Sequence, residues 1–385
     1  MDVEGTFLPL TYRPIALFSL GIWGWALNLL VLSKSGIDPV SLLQLHQVDK
    51  QTPLYKPIFI LSAAFSMVIA FNLYVYWYFN SSVVALLPYI SCLALLFWPG
   101  KAIYRKERIR FIRMSKRVLS LNIFAPVFFS DIILADMLTS FSNVFGDLYI
   151  AGCVLFAGQK SSYFMDNTDN LYYRDVMVPL FISLPYLIRL KQCVSEYVET
   201  KERRHVLNAI KYTSSLPVVI LASVQKKAAI YVAETGSTPN HWYLNENTVT
   251  QLWILFVFIN SMYSFWWDIS MDWNLITVST KNSKVKFRTQ LYFPTTFYIA
   301  ATAIDFLLRI TWSLKLSSPI YIRQIDASIF LLLEIFRRWV WVIFRLENEW
   351  VKKIYNTLPL DSLRLNLLDR KTSSGLLSPI EEEDP

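Results

Sequence analysis

Hydrophobic residues along the chain gather into long runs separated by short polar stretches. The runs cover 15–32, 57–79, 83–99, 126–157, 176–190, 210–233, 248–268, 291–316 and 320–345. An α-helix that crosses a bilayer needs roughly 20 mostly apolar residues, so the pattern predicts an all-α polytopic membrane protein with about nine transmembrane helices. The third and fifth runs are short. The fourth is long for one helix and is interrupted by Asp131, Asp136 and Gly146, so it is expected to tilt or break.

Lysine and arginine in the connecting loops set the orientation. With nine spans, the loops 33–56, 101–117, 191–209 and 269–290 fall on one side and hold 19 basic residues, against Arg13, Lys160 and Arg174 on the other. Positive charge is retained on the cytosolic side, which predicts a lumenal N-terminus and a cytosolic C-terminus. The expected organisation is a lumenal tail (1–14), entry helices with a basic cytosolic loop (15–125), a bundle lining a charged central pathway (126–349) and a cytosolic tail (350–385). That tail ends in Glu381-Glu382-Glu383-Asp384 and is expected to be largely disordered.

Composition agrees with lipid as solvent. Only 17% of the 385 residues are charged and 54% are hydrophobic, whereas soluble domains carry about 25% charged residues. The net charge of +8 does not imply nucleic acid, because the basic residues sit in loops between apolar runs, as membrane topology requires. Cys92, Cys153 and Cys193 lie in or beside apolar runs and read as small apolar fillers. The first run lacks the basic flank and cleavage site of a signal peptide, so it reads as a retained span. Segment 101–117 interleaves eight basic residues with Ile103, Ile109, Phe111, Ile112 and Met114. It suits an amphipathic helix on an anionic leaflet as well as an ordinary positive loop.

Charge inside the spans changes the picture from scaffold to pathway. An ionisable group at mid-bilayer costs at least ~2.5 kcal/mol on insertion scales and usually marks a pathway or a paired network. The early spans are almost free of such groups. Later come Asp131, Asp136, Arg189, Lys211, Asp268, Asp272, Asp305, Arg309, Arg323, Asp326, Glu334, Arg337 and Arg338. Spacings of three and four in Asp268/Asp272, Asp305/Arg309, Arg323/Asp326 and Glu334/Arg337/Arg338 place each set on one helix face. Arg189, Lys211, Arg309, Arg337 and Arg338 exceed what simple pairing needs, and arginine suits bidentate binding of carboxylate or phosphate oxygens. The expected cargo is an anion.

The stretches Leu134-Ala-Asp-Met-Leu-Thr-Ser140, Leu184-Pro-Tyr-Leu-Ile-Arg-Leu-Lys-Gln-Cys193, Glu199-Thr-Lys201 and Asn208-Ala-Ile-Lys-Tyr-Thr213 occur in order with Trp267-Asp-Ile-Ser-Met-Asp-Trp273, Leu308-Arg-Ile-Thr-Trp312 and the run from Glu334 to Glu349. Together they resemble the EXS domain of the phosphate exporters that include the xenotropic retrovirus receptor. Gly24-Trp-Ala-Leu-Asn28 and Ser35-Gly-Ile37 resemble that region's entry helix, and the likeness covers about residues 15–350. It implies a pathway for inorganic phosphate lined by Asp136, Arg189, Lys211, Tyr212, Asp268, Asp272, Arg309, Trp312, Arg337 and Arg338, with Glu334 and Arg345 in support.

An N-terminal SPX domain like that of the long exporters is not expected here, nor is gating by an attached sensor of inositol pyrophosphates. Met137 stands where the family usually has Gln. The form is similar to the short fungal Golgi members, the ER-retention-defective group. This implies return of phosphate from the Golgi lumen to the cytosol, support of glycosylation, and retention of Golgi glycosyltransferases and ER residents. It also implies a homodimer in membrane lipid; separately, retention leads to the expectation that the C-terminal tail and cytosolic loops touch Golgi sorting machinery. Neither cofactor, metal nor nucleic acid is expected. One rival is a membrane enzyme using Asp268 and Asp272 as a metal pair, against which His46, His205 and His241 lack ligand spacing. The other is a trafficking factor or cargo receptor that kept the fold and lost transport.

Overall fold

The computed structural model describes residues 8–43, 53–79, 82–100, 104–157, 173–236, 245–278, 285–288, 290–313 and 323–357. His46, His241 and the acidic terminus lie outside the described residues, as do the side chains of Arg323 and Asp326.

Thirteen helices make up nearly all of the described chain. They are α1 (Arg13–Lys34), the single turn α2 (Pro39–Leu42), α3 (Tyr55–Phe79), α4 (Ser82–Phe97), α5 (Arg105–Leu119), α6 (Phe129–Ser140) and α7 (Ser142–Ala157). There follow α8 (Val178–Thr200), α9 (Arg203–Thr213), α10 (Ser215–Thr235), α11 (Glu246–Trp267), α12 (Thr295–Arg309) and α13 (Arg323–Thr357). The exception is a small antiparallel hairpin between α11 and α12, in which Ile276 pairs with Phe287.

Among the described residues, five stretches are long and apolar enough to cross a membrane: Arg13–Lys34, Tyr55–Phe79, Asp175–Thr200, Arg203–Ala229 and Glu246–Asp272. The pair α6 and α7 makes a sixth if counted as one broken span. The other three expected runs also fall on helices. Of these, α4 has 16 residues and α12 has 15, while α13 has 35 but carries its charged residues within the run. The protein is thus a helical, multi-pass membrane protein.

The fourth run does break, at Phe141 rather than at Gly146, and the two halves meet at 68°. The elbow has a packing cause. Phe141 stacks on Phe18 of α1 with ring centroids 5.4 Å apart, and a Cβ at Gly21 would come within 2.6 Å of the Phe141 ring. The missing side chain at Gly21 therefore makes the seat for the elbow. The hydroxyls on either side, Ser140 and Ser142, bond to Glu334 and Tyr186 instead of continuing a straight helix. Gly146 has another use, since a Cβ there would press on Ile182 of α8 at 2.9 Å.

Around this elbow α1 packs against α3, α7 and α13, and α8 packs against α6, α7, α9 and α10. The largest buried apolar cluster joins Leu32, Ile133, Ile269, Trp273, Trp341 and Phe344 from α1, α6, the end of α11 and α13. Between helices in lipid the hydrophobic transfer term is small, and close van der Waals packing of such side chains is what holds the helices together. That packing also fixes α6, α11 and α13 about a common axis.

Candidate functional site

The charged residues of the later helices converge at that axis. Asp136, Arg189, Lys211, Asp268, Asp272, Asp305, Arg337, Arg338 and Arg345 are all buried. Tyr212 lies among them, and Arg309 and Glu334 sit at the margin. Among the described residues they form two linked groups.

The first group is built on α6, α8 and α9. Arg189 brings its Nε to 2.7 Å from Asp136 Oδ1, an ion contact without the line-up of a hydrogen bond. Tyr212 donates its hydroxyl to the same oxygen at 2.5 Å. The Tyr212 ring centroid lies 5.0 Å from the Arg189 Cζ and 4.7 Å from the Lys211 Nζ, so one aromatic ring serves two cations. Lys211 is 3.9 Å from Asp272, which also meets Arg345 at 3.6 Å. Gln192 holds Arg189 from behind. Its Oε1 accepts from Arg189 Nη1 at 2.5 Å and its Nε2 donates to the Asp131 carbonyl at 3.2 Å.

The second group is built on α11, α12 and α13. Arg309 donates to Asp305 at 3.0 Å and also to Asp268. Arg337 donates to Asp305 at 2.9 Å and to Glu334 at 2.5 and 2.9 Å, and it lies 3.5 Å from Asp268. The expected pairs Asp305/Arg309 and Glu334/Arg337 therefore form as their spacing predicted. Glu334 is linked to Arg338 by Ser140, which donates to Glu334 and accepts from Arg338 Nε at 2.9 Å, and the two charges also interact at longer range.

Asp268 and Asp272 lie in a short π-helical stretch, Asp268–Asp272, that ends α11. Such stretches widen the turn and recur at functional sites. Here the two carboxylates serve different groups: Asp268 takes Arg309 and Arg337, while Asp272 takes Lys211 and Arg345.

Arg338 differs from the others. Its partners are the Ser140 and Thr139 hydroxyls, at 2.9 and 3.1 Å, and the Trp341 ring, 4.6 Å from Cζ. Arg189, Lys211, Arg309, Arg337 and Arg345 each have a carboxylate within 4 Å. Among the described residues Arg338 has none. The surplus of cations inferred from composition is thus concentrated in one side chain. Asp136 and Asp268 both interact electrostatically with it at longer range, which ties the two groups together.

Trp312 is placed differently. Its indole packs edge-on against Trp253 with ring centroids 6.1 Å apart. Trp253 precedes Asp268 by 15 residues on α11, about 20 Å along the helix. No described hydrogen bond or ion pair joins Trp312 to the charged groups, and its buried indole N–H has no acceptor among the described residues.

Sequence reasoning left out Gln192, Thr139 and Ser140 as contributors, although all three stand inside the quoted stretches. Asp305 was recognised only as a helix-face partner of Arg309. The usable signal for each was a polar side chain three or four residues from a buried charge.

A bent two-part span, a π-helical turn carrying two aspartates and a buried bundle of paired arginines with one cation left over define a multi-pass membrane protein with a polar interior. The EXS family model matches residues 8–351, and the chain belongs to that family. It is 29% identical over 367 residues to "Protein ERD1 homolog 1" of Schizosaccharomyces pombe, covering 90% of this chain and 92% of that one. It is 28% identical over 305 residues to "Solute carrier family 53 member 1" of Mus musculus, covering 74% of this chain and 41% of the relative. It is 30% identical over 275 residues to the "Xenotropic and polytropic retrovirus receptor 1 homolog" of Xenopus laevis, where the shares are 69% and 38%. The chain therefore spans about two fifths of these last two proteins.

Proposed function

We propose that the protein is a transporter or channel for inorganic phosphate, carrying it from the Golgi lumen to the cytosol through the buried charged groups. The observation that carries this reading is Arg338, a buried guanidinium held by two neutral hydroxyls and an indole. Neutral partners orient a guanidinium without neutralising it, so its charge remains available to an anion that displaces no carboxylate. Arg337 and Lys211, with Asp136, Arg189, Tyr212, Asp268, Asp272 and Arg309, form the rest of the pathway. Glu334 and Arg345 support it, and Trp312 marks its far end beside Trp253.

The direction follows from chemistry and charge. Glycosyl transfer from nucleotide sugars leaves nucleoside diphosphates, whose hydrolysis releases phosphate in the lumen. A bare anion faces a prohibitive desolvation cost in hydrocarbon, and a cationic hydrated route lowers it. The loop charges support a lumenal N-terminus and a cytosolic C-terminus. In this reading transport supports glycosylation and the retention of Golgi glycosyltransferases and ER residents. The protein works as a homodimer in membrane lipid, its tail contacts sorting machinery, and it performs no catalysis.

A second reading, a trafficking factor or cargo receptor without transport, is favoured by one observation: five of the six cations in the two charged groups already have carboxylates, as in a network that only fixes packing. Purified protein in liposomes, followed for radiolabelled phosphate flux, separates the two. Flux in wild type that is lost in a folded Arg337→Ala/Arg338→Ala protein supports the pathway. Absence of flux in wild type, with a known exporter active in the same lipids, supports the trafficking factor.

A further inference from the structure

Helix α5 is the most basic element of the protein, and its seven basic residues divide into two sets. Three are used internally. Arg108 is buried and donates to the carbonyls of Leu95, Leu96 and Trp98 at 2.9, 3.2 and 2.8 Å, and to Gly100 at 3.3 Å. It thereby closes the open carbonyl end of α4, where a cation is also favoured by the helix dipole. Arg117 grips Asp131 at the start of α6 through two bonds of 2.9 and 2.7 Å, which push its guanidinium above the ordinary pKa. Arg110 pairs with Glu107. These contacts fix α5 against the ends of two membrane helices.

The other four, Arg105, Lys106, Arg113 and Lys116, are exposed and have no ion pair among the described residues. At 3.6 residues per turn they fall within an arc of about 100° on α5. Beside this arc lies an apolar groove of about 520 Å³, lined by Leu96 and Phe97 of α4 and by Phe111, Ile112, Ser115, Lys116, Leu119 and Ser120 from α5 and its end. Lys116 belongs to both features, so a cation stands at the rim of a hydrocarbon-like slot. Around it Phe97, Trp98, Leu119, Leu121 and Phe124 are exposed. Mixed aromatic, aliphatic and cationic exposure is the signature of a surface lying in the headgroup region of a bilayer.

We propose that the α4–α5 groove seats one anionic phospholipid of the adjoining leaflet, an acyl chain lying between Phe97 and Phe111 and the headgroup phosphate meeting Lys116 and Arg113. Charge complementarity selects the occupant: a neutral lipid would fill the groove and leave the four cations unanswered, whereas an anionic headgroup satisfies both. The proposal is independent of what the central charged groups carry, since none of the residues in the groove belongs to them.

The test uses the full-length protein in phosphatidylcholine vesicles containing a trace of phosphatidylserine or phosphatidylcholine with a photoreactive acyl chain. Crosslinked peptides are located by mass spectrometry. The serine lipid is expected to label segment 111–120 several-fold more than the choline lipid. In Arg113→Gln/Lys116→Gln the labelling should fall to the choline level, and in Ser115→Trp, which fills the groove and keeps the cations, it should disappear. Both variants alter exposed or groove-lining positions, and unchanged thermal melting verifies their fold. Equal labelling by the two lipids, a serine preference that survives the glutamine substitutions, or no labelling of the segment would each overturn the proposal.

Discussion

Asp305 on α12 accepts a hydrogen bond from Arg337 on α13 at 2.9 Å while its other oxygen accepts from Arg309 at 3.0 Å. One buried carboxylate therefore holds two arginines from different helices. Removing one partner of a buried ion pair leaves an uncompensated charge, which typically costs 3–5 kcal/mol. Asp305→Asn keeps the shape and loses the charge, so it is expected to lower stability by about 3 kcal/mol. Unfolding of the detergent-solubilised protein measures this. A variant as stable as wild type would mean that Glu334 and Asp268 suffice for both arginines.

Arg338 makes the opposite case. Its partners are neutral, so its removal strands no carboxylate and Arg338→Gln should fold. A lost charge-assisted contact to a transported anion corresponds to about tenfold or more in flux. Arg338→Lys keeps the charge without the two-pronged geometry and should fall between. Flux equal to wild type in Arg338→Gln would remove the basis of the transport reading.

Gln192 positions Arg189 rather than contacting an anion itself. Gln192→Glu sets a second carboxylate against the guanidinium, and the added negative charge opposes anion entry. The expected result is a raised KM for phosphate with a smaller change in maximal flux. Gln192→Leu instead leaves Arg189 Nη1 without its acceptor, and should cost about 1–3 kcal/mol of stability.

Gly24 on α1 is a packing site for α13. A Cβ there would lie 1.8 Å from Trp339 Cε2, so Gly24→Ala forces the indole or the helices apart. Overpacking of this kind costs typically 1–3 kcal/mol. A loss of thermal stability in Gly24→Ala, partly restored by Trp339→Phe, is the expected pattern. Full stability of the single variant would show that Trp339 can turn aside freely.

The positions of the helices were legible in the apolar runs because hydrophobic length is a property of the chain segment itself. That the run 126–157 would tilt or break was anticipated, but the place was not: α6 is capped by Phe141, and what seats it is Gly21, 120 positions earlier. No local pattern encodes that contact. Similarly, Trp312 stands only three residues after Arg309 yet packs on Trp253 instead of joining the charged groups.

Local periodicity by itself determined that Asp305 faces Arg309 and Glu334 faces Arg337, since residues three or four apart share a helix face whatever surrounds them. It also settled that these faces are too costly to meet lipid and must turn inward. Only the tertiary structure decided which cation is left without a carboxylate. Arg338 meets Ser140 across a separation of 198 residues, and Arg189 meets Asp136 from another helix. Such pairings depend on where the elbow at Phe141 and the π-helical turn at Asp268 aim their side chains, and those directions are set by the packing of whole helices.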